Sequence, residues 1–234
     1  MTEYLEIAIE ELYTTFSAYP FRSTMEGCPC CVSQGDKEKL HSKKLRELEG
    51  KDLSKYARKA LTTWGDLNDF KHYLPRIFEL LSTTYFAVDA FVIFGKLEYG
   101  AWKTWATTEQ LTIRNFLLVW WDDTIKNKSY FDSDAFVEIY KLLGNIDELL
   151  KRWPVDFSDN SFRNFVEFVY DNYYDLTNKQ ANFRAFDYFS IEKILKWISD
   201  KTDALEKGFF HFEQSDRGFS EKISTVLFMV EKNR

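Results

Sequence analysis

The chain has 234 residues, 45% of them apolar and 18% aromatic, with 31 Lys and Arg against 37 Asp and Glu for a formal charge of −6. That composition excludes a disordered chain, and the acidic balance excludes a general nucleic-acid binder, because phosphate binding wants a basic face. No apolar run approaches the roughly 18 residues of a membrane span, and the acidic start Met1-Thr2-Glu3 is unlike a secretory signal, so a cytosolic protein with no membrane contact is expected.

Leu5, Ala8, Ile9, Leu12 and Phe16 recur at helical spacing and predict a first helix from about 2 to 19, ended by Pro20. The stretch 21–35 has no period and reads as a loop. It holds the only cysteines of the chain, in the run Gly27-Cys28-Pro29-Cys30-Cys31. From 36 to 59, nine Lys and Arg stand against five Asp and Glu, a local +4 that reads as the solvated face of two helices or as a patch for an acidic partner.

Leu53, Tyr56, Ala57, Ala60, Leu61 and Trp64 form a stripe that predicts a helix reaching Trp64, with Gly65 as its terminal cap. Asp66 is placed to cap the next helix, in which Phe70, Tyr73, Leu74, Ile77, Phe78 and Leu81 share a face. Pro75 inside that stripe predicts a kink or break near 72–74, and Leu61, Trp64, Phe70, Leu74 and Phe78 are expected in one core. The run 86–94 is apolar on every face and reads as a buried helix before a strand.

Thr107 with Gln110 gives a capping-box pattern ahead of Ile113, Phe116, Leu117, Trp120 and Trp121. The two adjacent tryptophans cannot face the same way, so one should be partly exposed or cover a loop. Later stripes run through Phe136 to Leu143, Phe162 to Tyr173, Ile191 to Ile198 and Ile223 to Val230. The fold class is therefore all-α, a multi-helix bundle or irregular array of about 9 to 11 helices joined by short connections. A single domain over 1–234 is expected, with a weak subdomain seam near 153–157, at Trp153-Pro154-Val155. HEAT-like stacking is the weaker reading, since nothing recurs at about 40 residues.

Gly27-Cys28-Pro29-Cys30-Cys31, the stretch Leu61-Thr62-Thr63-Trp64-Gly65-Asp66 leading into Asp69-Phe70-Lys71-His72-Tyr73-Leu74-Pro75-Arg76, and Gly95-Lys96-Leu97-Glu98-Tyr99-Gly100-Ala101-Trp102 with Trp105, Glu109 and Trp120-Trp121 resemble a family of uncharacterised bacterial proteins. The resemblance covers about 25–121. It implies a bacterial origin, and because the family has no assigned activity it transfers no site residue.

Catalytic signatures are missing. There is no Gly-x-Ser-x-Gly elbow, no phosphate-cradling glycine loop and no His-Glu-x-x-His, and His211-Phe212-Glu213 alone is weak. No catalytic or cofactor-binding residue is assigned. Cys28 and Cys31 have the spacing of one zinc-ligand pair, Cys30 can replace either, and His41 or His72 can complete a set across the fold, but a second cysteine pair is absent. If these thiols are ligands or a redox pair, Cys28 and Cys31 should act as a unit while Cys30 points elsewhere. If they are structural, each should respond to its own burial. Trp102 with Trp105, and Trp120 with Trp121, read as core packing before a ligand groove.

The leading expectation is a non-enzymatic cytosolic module, of adaptor or immunity type, that binds another protein through an acidic, aromatic-rich surface. The alternative is a zinc-binding or thiol-dependent protein working through 28–31, and the oligomeric state is left open.

Overall fold

The structure, a computed structural model, describes residues 2–232, with every side chain among them but those of 181 and 182. Among the described residues there are twelve α-helices and no strand, an all-α array. The chain forms two compact units, Met1–Trp120 and Trp121–Arg234. The segment 153–157 lies inside the second of them.

The first unit contains α1 (Glu3–Phe16), α2 (Gln34–Leu40), α3 (Gly50–Lys59), α4 (Leu67–Thr83), α5 (Ala90–Tyr99) and most of α6 (Thr107–Asn127). Thr2 caps α1, its hydroxyl accepting the Leu5 N–H at 3.4 Å. Leu5, Ile9, Leu12 and Phe16 are buried as their spacing predicts, and α1 packs along α4. Asp66 caps α4 in a full capping box: its carboxylate accepts from the N–H groups of Asn68 and Asp69, and Asp69 accepts from the Asp66 N–H at 2.9 Å.

Three expectations are corrected here. The α3 helix stops at Lys59, because Ala60 turns extended and Leu61 takes a positive φ of 64°. Trp64 is still buried at 2% exposure, with its ring edge-on to Tyr56 at 5.4 Å. A chain that folds back can imitate helical periodicity for one more turn, which is why the stripe ran past the helix. Second, of the kink or break expected near 72–74 the break does not occur, for α4 continues through Pro75. Phe70, Leu74, Ile77 and Phe78 are all fully buried, and that packing outweighs the lost backbone bond and ring clash of an interior proline, together about 3 kcal/mol. Third, the run 86–94 is helical only from Ala90, and Phe91 is 54% exposed.

The start of α6 follows a different device from the one expected. Glu109, not Gln110, accepts the Ala106 N–H at 3.1 Å, while the Gln110 amide donates to the Trp105 carbonyl. Trp120 and Trp121 are both buried. Trp120 joins Phe94 and Phe116 in the first unit, and Trp121 joins Phe136 and Trp153 in the second, so α6 contributes a buried side chain to each unit.

The second unit holds α7 (Ser133–Leu143), α8 (Ile146–Lys151), α9 (Ser161–Asn178), α10 (Tyr188–Ser199), α11 (Thr202–Phe212) and α12 (Arg217–Lys232). No apolar stripe announces α2, α8 or α11. The α11 and α12 helices form a hairpin, and α12 packs on α9.

Gly65 is the glycine whose conformation the fold demands. It sits at a φ of 72°, and a Cβ there would meet the Met25 sulfur at 2.8 Å and Asp69 Cβ at 2.9 Å. Gly65→Ala should therefore cost about 1–3 kcal/mol, from the left-handed backbone plus crowding. Urea unfolding of the purified variant checks this, and an unchanged midpoint would contradict it.

Candidate functional site

The thiol loop is fastened to the first unit at three places. Arg22 at its start donates to Asp69 at 2.9 Å and to Asp66 at 2.5 Å. In its middle, the Gly65 N–H donates to the Glu26 carbonyl and the Cys28 N–H to the Thr63 carbonyl, each at 2.8 Å. At its end Ser33 and Asp36 form the capping box of α2, and Lys55 donates to Asp36. Those donors hold the Asp36 carboxyl far below the usual carboxylate range, Lys55 first and Ser33 second. Met25 and Val32 are buried on either side of the cysteines.

Between these anchors the chain makes a tight turn. The N–H groups of Cys31 and Val32 both donate to the Cys28 carbonyl at 2.9 Å, with Pro29 at the position where its fixed φ favours a turn. The turn gathers all three sulfurs within 4.8 Å of one another. Cys30 is not turned elsewhere: its Sγ lies 2.8 Å from that of Cys28 and 3.6 Å from that of Cys31. Cys28 and Cys31 stand at the ends of the turn and Cys30 at its third residue, so all three side chains emerge on one side. All three are free thiols, half-buried or exposed.

The sulfurs share protons unequally. Hydrogen bonding from Cys30 lowers the Cys28 thiol, and bonding to Cys28 and Cys31 with their charge pushes Cys30 up to about 11. A neutral Cys30 thiol donating toward a Cys28 thiolate fits both directions.

Among the described residues no histidine or carboxylate joins the sulfurs within that distance. The structure thus separates the candidates that the sequence grouped. His41 and His72 instead border a cleft of about 630 Å³ with Phe21, Leu45, Leu48 and Tyr73. His41 meets Phe21 edge-on at 4.8 Å, and the His72 Nδ1–H donates to the Tyr19 carbonyl at 2.8 Å. Burial lowers both imidazole pKa values, which keeps the rings neutral at neutral pH. His211, in the second unit, stacks on Phe157 at 5.2 Å.

A buried polar cluster that no linear motif signals lies between α4 and α6. Lys71 donates to Glu109 at 2.7 Å, with side chains 7% and 5% exposed. The Tyr19 hydroxyl donates to the other Glu109 oxygen, and the Lys71 ammonium sits 4.3 Å over the Trp105 ring. Trp102 and Trp105 are buried, their indole N–H groups donating to Glu98 and to the Gly100 carbonyl. They pack into the core of the first unit.

No family model, curated protein or solved structure matches the chain. The functional reading therefore rests on this geometry alone.

Proposed function

We propose that the chain is a bacterial cytosolic protein whose working centre is the loop 28–31, and that the three thiolates of Cys28, Cys30 and Cys31 bind one soft metal ion. The observation that carries this reading is the gathering of three sulfurs on a turn fastened to the fold at three places. The three cysteines are near neighbours in sequence, and the turn closes the remaining distance between their sulfurs.

Ligand chemistry narrows the ion. Thiolates select monovalent copper, zinc and iron–sulfur clusters. Clusters take four cysteines, and structural zinc takes four ligands, whereas this loop supplies three. Three thiolates around one ion suit monovalent copper, while zinc would need water or another donor at a fourth position. With metal–sulfur bonds of about 2.3 Å, trigonal coordination sets the sulfurs about 4 Å apart. The Cys30 to Cys31 spacing of 3.6 Å is close to this, and the 2.8 Å between Cys28 and Cys30 opens by rotation of the exposed Cys30 side chain. Binding expels the protons that the sulfurs now share.

Anaerobic titration with monovalent copper in competition with a chromophoric copper chelator tests the reading. One ion per chain should protect three thiols, and Cys28→Ser, Cys30→Ser and Cys31→Ser should each weaken binding by at least the roughly 10–100-fold typical of disturbed metal sites. Retention of full affinity by Cys30→Ser would return the loop to a two-thiol site, and no protection at all would reduce it to packing.

A further inference from the structure

A second feature, independent of the thiols, lies on the outer face of the first unit. The α1 helix and the first turns of α6 run side by side, joined by a Thr15 to Thr112 hydroxyl contact at 3.0 Å and an Asn115 amide donating to Glu11 at 2.8 Å. A groove of about 970 Å³ runs between them. Its apolar contacts are Ile7 and Leu111, 50% and 58% exposed, and its charged ones are Glu6, Glu10 and Glu11. None of its lining residues is a cation. Arg46 reaches one wall, pairing with both oxygens of Glu10, which leaves Glu6 and Glu11 as the carboxylates that face an incoming charge.

We propose that this groove docks a basic amphipathic helix of a partner protein, with apolar side chains on Ile7 and Leu111 and Lys or Arg over Glu6 and Glu11. Charge complementarity selects the occupant: an exposed apolar pair framed by carboxylates repels anionic surfaces and favours cationic ones. The walls are helices and present no strand edge, so an extended peptide has no backbone ladder to join, whereas a helix needs only anchors at i, i+4 and i+7. From Glu6 to Thr15 the groove follows α1 for about 14 Å, enough for those three anchors at 1.5 Å per residue. A second copy of this chain is the poorer occupant. Four of the nine cations of its basic stretch are already engaged, Lys43 with Asp52, Arg46 with Glu10, Lys51 with Glu49 and Lys55 with Asp36.

The test is fluorescence anisotropy with a labelled 14-residue Leu/Lys peptide patterned as an amphipathic helix, and a scrambled peptide of the same composition. The patterned peptide should bind about tenfold tighter than the scrambled one, and more weakly as salt rises. Glu6→Gln with Glu11→Gln, and separately Ile7→Ser with Leu111→Ser, should each weaken it by about tenfold. The residues are surface ones, so melting temperatures should hold. A control pair in the second unit, Glu192→Gln with Glu206→Gln, should change nothing. Equal binding of the scrambled peptide, or equal loss from the control pair, would reduce the groove to net charge and overturn the proposal. So would a dimer in solution that Ile7→Ser dissociates, because the occupant would then be a second copy.

Discussion

Trp153→Ala should destabilise the second unit by about 3–5 kcal/mol, the range for deleting a large buried aromatic. Trp153 is 1% exposed and is ringed by Trp121, Phe131, Phe168 and Trp197 at centroid distances of 5.1 to 5.6 Å. Its indole N–H donates to the Ser161 carbonyl at 2.9 Å, so truncation removes a hydrogen bond from the first turn of α9 along with the packing. Protein interiors are close-packed, so the neighbours fill the space left behind only in part. Trp153→Phe should recover most of the loss, since it restores the packing but not the bond. Denaturant unfolding followed by circular dichroism reads both, and a loss under about 1 kcal/mol for the alanine variant would contradict the packing described.

Lys71→Met should cost the first unit about 3–5 kcal/mol for a different reason. The substitution preserves volume and apolar contact with Trp105 but strands Glu109, whose carboxylate is 5% exposed, with only the Tyr19 hydroxyl and the Ala106 N–H as donors. Removing one member of a buried pair leaves an uncompensated charge. The double variant Lys71→Met with Glu109→Gln should recover most of the stability, because a neutral amide oxygen still accepts from Ala106. The sign of that recovery separates a buried charge from mere packing. If the double variant is as damaged as the sum of its singles, the pair is not coupled in the way its geometry requires.

The helices whose apolar residues alternate with charge were legible in the sequence, and Asp66 and the α1 and α4 stripes stand where their chemistry places them. What escaped depends on chain reversals and on pairs distant in sequence. Trp64 has the spacing of a helical residue yet belongs to a turn, because a left-handed Leu61 brings it back beneath Tyr56. Trp120 and Trp121 both found burial because α6 contributes to two cores, which no single stripe can announce. Lys71 and Glu109 are 38 positions apart and make a pair only through the packing of α4 with α6.

The site was half legible. Cys28 and Cys31 have ligand spacing on their own, whereas the inclusion of Cys30 depends on the turn geometry, in which the third residue projects to the same side as the ends. His41 and His72 looked available by residue type, and folding carries them to a separate cleft beside Phe21. The groove between α1 and α6 was invisible because its walls are more than 90 residues apart in sequence.

X-ray absorption on protein loaded anaerobically with one equivalent of monovalent copper tests the three-thiol centre most directly. The spectrum should show a single shell of three sulfur neighbours and no nitrogen, with one sulfur lost in each single serine variant. Two sulfurs, a mixed shell containing a histidine nitrogen, or copper that washes away before measurement would contradict it.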